Sequence, residues 1–286
     1  MQLGKLFFVL LFSGSVSAGA QTLVSKKGEP YLPEKSDWSI GIDAVPFLDY
    51  VGRLLSQNGS NAPTINTVSG FPLQISGKYF QEEKKAIRAR LRVGVGSATD
   101  KNSVIDMVNT TLDTVYTQDV RKQRNSNILL GLGREWRRGK TRLQGFYGYE
   151  GMLSITSSKT TYQYGNQFSS TFPTVYATDF STPAENGFSS SIVSGRTTQV
   201  KSGTTFGLGL RGFIGAEYFI FPKLSIAGEL GWGFMFKNAN DGNMVSESWD
   251  NINNGVKSRT QVNAGGNSFG IDTDNGFGSL SLQLYF

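Results

Sequence analysis

The sequence predicts an all-β protein, an eight-stranded antiparallel up-and-down β-barrel that crosses a membrane. Three observations predict it. Eight segments alternate apolar and polar residues with period two, which gives each strand one oily and one wetter face. The connections between them alternate strictly in length, as expected of tight turns at one end and extended loops at the other. Beyond the first twenty residues there is no run of about 18 apolar residues, so no helix is expected to span a bilayer.

The chain opens with Lys5, the apolar run Leu6 to Phe12, and small residues ending Ala18-Gly19-Ala20. This is the charge, core and cleavage pattern of an export signal, and it is too short for a spanning helix. Residues 1–20 are expected to be removed, with Gln21 as the mature start. Residues 21–36, with Lys26-Lys27-Gly28-Glu29-Pro30, read as a mobile periplasmic lead, and residues 37–286 as the barrel domain.

The strands follow in order. The first runs from Trp38 through Ile40, Ile42 and Ala44. The second shows Phe71, Leu73, Ile75 and Tyr79 on one face. In the third, Ile87, Ala89, Leu91, Val93 and Val95 alternate with Arg88, Arg90, Arg92, Gly94 and Gly96. A helix would spread those arginines around its circumference, whereas a strand puts them on one side. The fourth carries Ile128, Leu130, Leu132 and Trp136, and the fifth Leu143, Tyr147, Tyr149 and Leu153. The sixth carries Phe206, Leu208, Leu210, Ile214, Ala216 and Tyr218, and the seventh Leu224, Ile226, Leu230, Trp232, Phe234 and Phe236. The eighth is Leu280 to Phe286, and closure requires it to pair with the first. Short connections fall near 82–84, 137–140 and 220–223, and long ones near 49–70, 97–126, 155–202 and 237–267. The 155–202 segment leaves ten strands as the alternative. It would extend its flanking strands or form a hairpin of its own.

The composition fits. The chain has 35 Gly, 20 Phe and 11 Tyr but 8 Pro, a mixture that favours twisted antiparallel strands over helices. Net charge is +6, falling by one when Lys5 leaves with the signal. No dense basic stripe accompanies it, so nucleic acid is not an expected partner. The chain has no Cys, which excludes disulfides, thiolate metal sites and a lipid anchor on an N-terminal Cys. It has no His, so the commonest general base is missing. No cofactor is expected.

If the apolar faces meet lipid, the opposite faces meet in the lumen. Parity assigns to it Asp43, Lys78, Arg88, Arg90, Arg92, Glu135, Arg142, Glu150, Arg211, Glu217 and Glu229. Six cations and five anions are nearly balanced, as a closed interior demands. They read as a structural charge network, with a charged eyelet as the alternative. Glu135 and Arg142 flank the 137–140 turn and are expected to face each other across it. Inward glycines such as Gly148 and Gly231 make room for large neighbours. Gly207 to Gly212 matches G-x-G-x-x-G, but inside a period-two run it opens no helix, so it is no dinucleotide site. Asp272-Thr273-Asp274-Asn275-Gly276 fails as a calcium loop, since Phe277 and Gln283 replace the required Gly and Glu. Asp100, Asp106, Asp113 and Asp119 read as solvated loop charges. Trp38, Tyr79, Trp136 and Tyr218 near one end, and Trp232, Phe234 and Phe236 near the other, read as interfacial aromatics. Arg134 has outward parity and can snorkel to the interface.

The signal through Ala20, the hairpin Gly215-Ala216-Glu217-Tyr218-Phe219-Ile220-Phe221-Pro222-Lys223-Leu224-Ser225 and the aromatic tail to Phe286 resemble the small outer-membrane β-barrel proteins of Gram-negative bacteria. These include the attachment/invasion and outer-membrane-protein-A types, and the hairpin is similar to those of Bacteroidetes barrels. The resemblance implies a location in the outer membrane. It implies that Leu280, Leu282, Leu284 and Phe286 form an assembly signal read by the barrel-assembly machinery, with periplasmic chaperones, outer-membrane lipid and lipopolysaccharide as further partners. The expected function is non-enzymatic, with long loops binding an unknown extracellular ligand or maintaining the envelope. A small porin-like channel and a His-independent outer-membrane enzyme are the alternatives.

Overall fold

The computed structural model describes residues 23–43, 74–108, 115–180, 191–273 and 279–286. The export signal, Ala44, Phe71, Leu73 and Asp113 lie outside these residues, as does the side chain of Asp43. Among the described residues the fold is all-β and antiparallel. Its strands are β1 (Trp38–Asp43), β2 (Gln74–Glu82), β3 (Lys85–Ile105), β4 (Tyr116–Arg138), β5 (Leu143–Gln163), β6 (Val175–Ala177), β7 (Ser191–Val193), β8 (Gly195–Lys201), β9 (Thr205–Phe221), β10 (Leu224–Ala239), β11 (Gly242–Asp250), β12 (Gly255–Asn263), β13 (Gly266–Thr273) and β14 (Ser279–Tyr285).

The pairings form a ring. β1 pairs β2, β2 pairs β3, β3 pairs β4, β4 pairs β5, β5 pairs β9, β9 pairs β10, β10 pairs β14, and β14 returns to β1. The closure is uneven. β1 has six residues against 21 in β3 and 23 in β4, so among the described residues the ring joins on that side at the tight-turn end. There the last strand meets the first as expected, with Ser39 opposite Tyr285 and Ile42 opposite Leu282. Trp38 and Phe286 exchange both backbone hydrogen bonds, at 3.2 and 2.9 Å, and their rings stack with centroids 4.5 Å apart.

The expected long loops are mostly strand. β3 and β4 stay paired out to Ile105 and Tyr116, and β5 continues to Gln163, so most of 97–126 and the start of 155–202 belong to the ladder. β8 and β9 both run antiparallel to β5, one above the other. β10 leads on to β11, which pairs β8 and β12, while β12 leads to β13 on the flank of β10. The 237–267 connection is therefore two strands and a four-residue turn between Asp250 and Gly255. Alternation disappears here because both faces are wet. A strand needs the backbone ladder, not an oily face, to continue. β6 and β7 form the separate hairpin and do not enter the main sheet.

The tight turns occur near 83–84, 139–142 and 222–223. Lys223 takes the left-handed conformation (φ 65°), so the Pro222-Lys223 turn holds a strained non-glycine residue. The turn after β4 begins two residues later than expected, because the ladder runs on to Arg138 opposite Gly145. Glu135 consequently faces Gly148 and not Arg142. Residues 23–36, the described part of the lead expected over 21–36, lie against this end. Tyr31 and Leu32 pack on the buried cluster of Phe80, Ala86, Phe219 and Tyr285, and the Arg142 guanidinium sits 3.8 Å from the Tyr31 ring centroid.

Candidate functional site

The two faces of the ring differ in chemistry, and inversely to a soluble protein. Outward lie the apolar residues of the alternation. Leu208 is 69 % exposed, Leu132 57 % and Trp232 56 %, and Ile87, Leu91, Leu153, Leu210, Ile214 and Phe234 are exposed with them. Tyr79, Tyr218, Phe236, Leu284 and Phe286 are also exposed, while Leu280 and Leu282 are half-buried on the same face. Trp136 is half-buried, stacked on Tyr147 with the Tyr149 ring tilted against it. Soluble proteins rarely expose contiguous apolar patches beyond a few hundred Å².

Inward lie the charges. Lys78, Arg88, Arg90, Glu135, Glu150, Arg211, Glu217 and Glu229 are all buried, and they come together in one connected network. Lys78 on β2 donates to Glu217 on β9 (3.2 Å) and reaches Glu135 on β4 (3.1 Å). Arg88 on β3 donates to Glu229 on β10 at 2.7 Å. Arg211 on β9 joins Glu229 (2.7 Å) to Glu150 (3.2 Å), and Arg90 also donates to Glu150. β2 and β9, and β3 and β10, lie on opposite sides of the ring, so these bonds cross the lumen from wall to wall. Desolvating each charge costs several kcal/mol, and only such mutual pairing offsets it.

Two members fall outside the expected set. Arg137, placed by the sequence reading in a turn, is a buried inward residue of β4. It donates to Glu135 (3.0 Å), to Glu217, and across the ring to the Tyr285 hydroxyl of β14 (2.9 Å). Tyr285 in turn donates to Glu217. The free apolar neighbours of the alternation end at Trp136, so the reading stopped one residue short of Arg137. Arg92 is half-buried above this cluster, and Arg142 lies below it on Tyr31. Inward phenylalanines complete the fill. The Arg88 guanidinium lies 4.0 Å from the Phe213 centroid, Lys78 Nζ 4.8 Å from that of Phe146, and Arg137 4.8 Å from that of Phe80. Gly148 and Gly231 make this packing possible. A Cβ on Gly148 would strike the Phe213 ring and the Arg134 carbonyl, and one on Gly231 the Arg211 guanidinium.

Above the network, the loop from Tyr164 to Phe180 folds against inward-facing residues of β3, β4 and β8. Asp119 accepts backbone hydrogen bonds from Gly165 and Thr178 (both 2.9 Å). Asn102 donates to Thr178, and Asn166 donates to the carbonyls of Ile105 and Tyr176. Arg196 joins Glu247 to the Asn166 carbonyl (2.7 Å each) and stacks on Tyr164 and Phe168. Asp119, expected as a solvated loop charge, is thus fully buried, and burial pushes its carboxyl above the usual range. Asp100 pairs with Arg121 at 3.0 Å, and Asp106 accepts from the Val108 amide. Together they brace the loop end.

No family model matches the chain, and no curated protein matches it. Among solved structures it is similar to the outer membrane protein OprG from Pseudomonas aeruginosa, at 9% identity and a TM-score of 0.29, over 90% of this chain and 98% of that one.

Proposed function

We propose that the chain is an integral outer-membrane β-barrel, non-enzymatic and closed to ion flow, that holds a platform of extended strands and folded loops outside the cell. One observation carries the reading: the ring is inside out, with exposed apolar side chains around it and a paired charge network within it. Counting β8 with β9, β10 with β11, and β12 with β13 and β14, the ring has eight strands, a size whose interior side chains can fill. The apolar face of β9 runs from Phe206 to Tyr218. That is about 40 Å along a strand at ~3.3 Å per residue, or about 30 Å of height at the usual tilt, which matches a bilayer core. The tight turns then face the periplasm and the strand extensions face outward. The Lys78–Glu217 and Arg88–Glu229 bonds that cross the lumen favour a plug over a pore. Its carboxylates are held by cations, which leaves none poised as a free base. The platform serves surface binding or envelope maintenance.

The expected result is that the mature chain refolds in detergent and migrates differently on a gel before and after boiling, while conducting little in a planar bilayer. A detergent-free soluble monomer without a mobility shift would sink the membrane reading. Stable channels would replace the plug with a pore. In cells, deleting Phe286 removes the Trp38 stack and the terminal backbone pair of the β1–β14 seam, and should lower the outer-membrane level several-fold. An unchanged level would show that closure and assembly do not need that residue.

A further inference from the structure

The cations outside the ring are arranged unlike those within it. On β4, Arg124 and Lys122 share the outward parity of Leu132 and Ile128, and Lys159 on β5 shares that of Leu153 and Ile155. Arg124 stands directly opposite Lys159, and Lys159 directly opposite Lys201 of β8. Three adjacent strands therefore carry one continuous cross-strand row of cations. Lys122 lies two residues further out on β4, and Lys101 of β3 projects from the same face. Like charges directly opposite across a ladder destabilise the sheet. In the lumen such crowding is relieved by glutamates. Here, among the described residues, these five side chains make no ion pair, and their cross-strand neighbours are Ser97, Thr99, Val120, Thr161 and Asn243.

The row sits just beyond the apolar band. Arg124 and Lys159 each lie four residues beyond the end of the continuous apolar alternation of their strand, at Ile128 and Ile155. That is about 13 Å along the strand and about 10 Å in height, from which long basic side chains reach back to the headgroup layer. The outward hydroxyls of Ser126 and Ser157 stand opposite each other between the apolar band and the row. Resting on the membrane reading above, we propose that Arg124, Lys159 and Lys201, flanked by Lys122, form a docking site for the phosphate-bearing headgroups of anionic lipid in the outer leaflet. The lipid phosphates would complete the electrostatics that the protein leaves open.

The test uses the mature chain folded in uncharged detergent, titrated with diphosphorylated lipid A, with its dephosphorylated form and with inorganic phosphate, and read by native mass spectrometry. Wild-type protein should retain the diphosphorylated lipid, and the triple variant R124Q/K159Q/K201Q should bind it at least about tenfold more weakly. A control with the same charge loss at the tight-turn end, K84Q/R138Q/K140Q, should bind like wild type. Added salt should weaken wild-type binding, an independent reading should the triple variant not fold. Equal losses in both variants, undiminished binding by the triple variant, salt-independent binding, or displacement by millimolar inorganic phosphate would overturn the site. A chain that never enters micelles or shifts on boiling would instead overturn the membrane reading, and the site with it.

Discussion

Replacing Glu217 with Ala should cost about 3–5 kcal/mol, the usual penalty for stranding buried charge. The side chain has no solvent exposure and accepts from Lys78, Arg137, Ser225 and Tyr285. Its loss leaves Lys78 sharing Glu135 with Arg137, so cations from β2 and β4 depend on one carboxylate. Water entering the space can recover part of this cost but not the attraction. The check is urea unfolding of protein refolded in lipid vesicles, compared with Glu82→Ala. Glu82 pairs with Lys85 at 2.9 Å, but both side chains are more than half exposed, so its removal should shift stability by about 0–1 kcal/mol. Equal midpoints for the two variants would mean that the lumen is wet and its network slack.

Placing a cation on the outer face should be nearly as damaging. Leu132 lies midway along the apolar stretch of β4, opposite Ala89 and Gly151, and its side chain is exposed. Leu132→Arg should destabilise the folded protein by about 2–4 kcal/mol at the bilayer midplane, while Tyr218→Arg, near the tight-turn edge of the band, should cost about 0–1 kcal/mol. In a water-exposed sheet the substitution would cost almost nothing and would raise solubility. The depth dependence is therefore the decisive measurement, made by the same unfolding experiment. A flat profile would remove the membrane from the account of this fold.

Where the sequence was legible, it was so because one face of each strand had to be oily. That constraint fixes parity, and parity alone places Lys78, Arg88, Glu135, Glu150, Arg211, Glu217 and Glu229 on the inner wall. It fails where the constraint ends. From Ser97 outward on β3 and from Ser126 back to Tyr116 on β4, both faces are largely polar, and a continuous hairpin looks like loop. Asp119 shows the same limit from another side. Its burial comes from Gly165 and Thr178, more than forty residues further along the chain, and nothing local announces them. The inward Phe80, Phe146, Phe213 and Phe219 violate the simple rule of polar interiors. They are there because guanidinium and ammonium groups stack on them, a partnership visible only once the strands are assembled.

The order of charges along the chain has a consequence for how the protein is built. Among the described residues, Lys78, Arg88, Arg90 and Arg137 are delivered by β2 to β4, against Glu135 and, on β5, Glu150. Glu217 and Glu229 come with β9 and β10, and the Tyr285 hydroxyl with the final strand. A sheet lacking its last third thus carries a positive surplus on the concave side and must stay hydrated there. β9 adds Arg211 along with Glu217 and leaves the surplus unchanged, whereas β10 adds Glu229 and lowers it, so drying of the interior is coupled to the arrival of the late strands. The chain carries its own check on assembly: a barrel with a missing or misregistered late strand holds charge it cannot bury, and remains open.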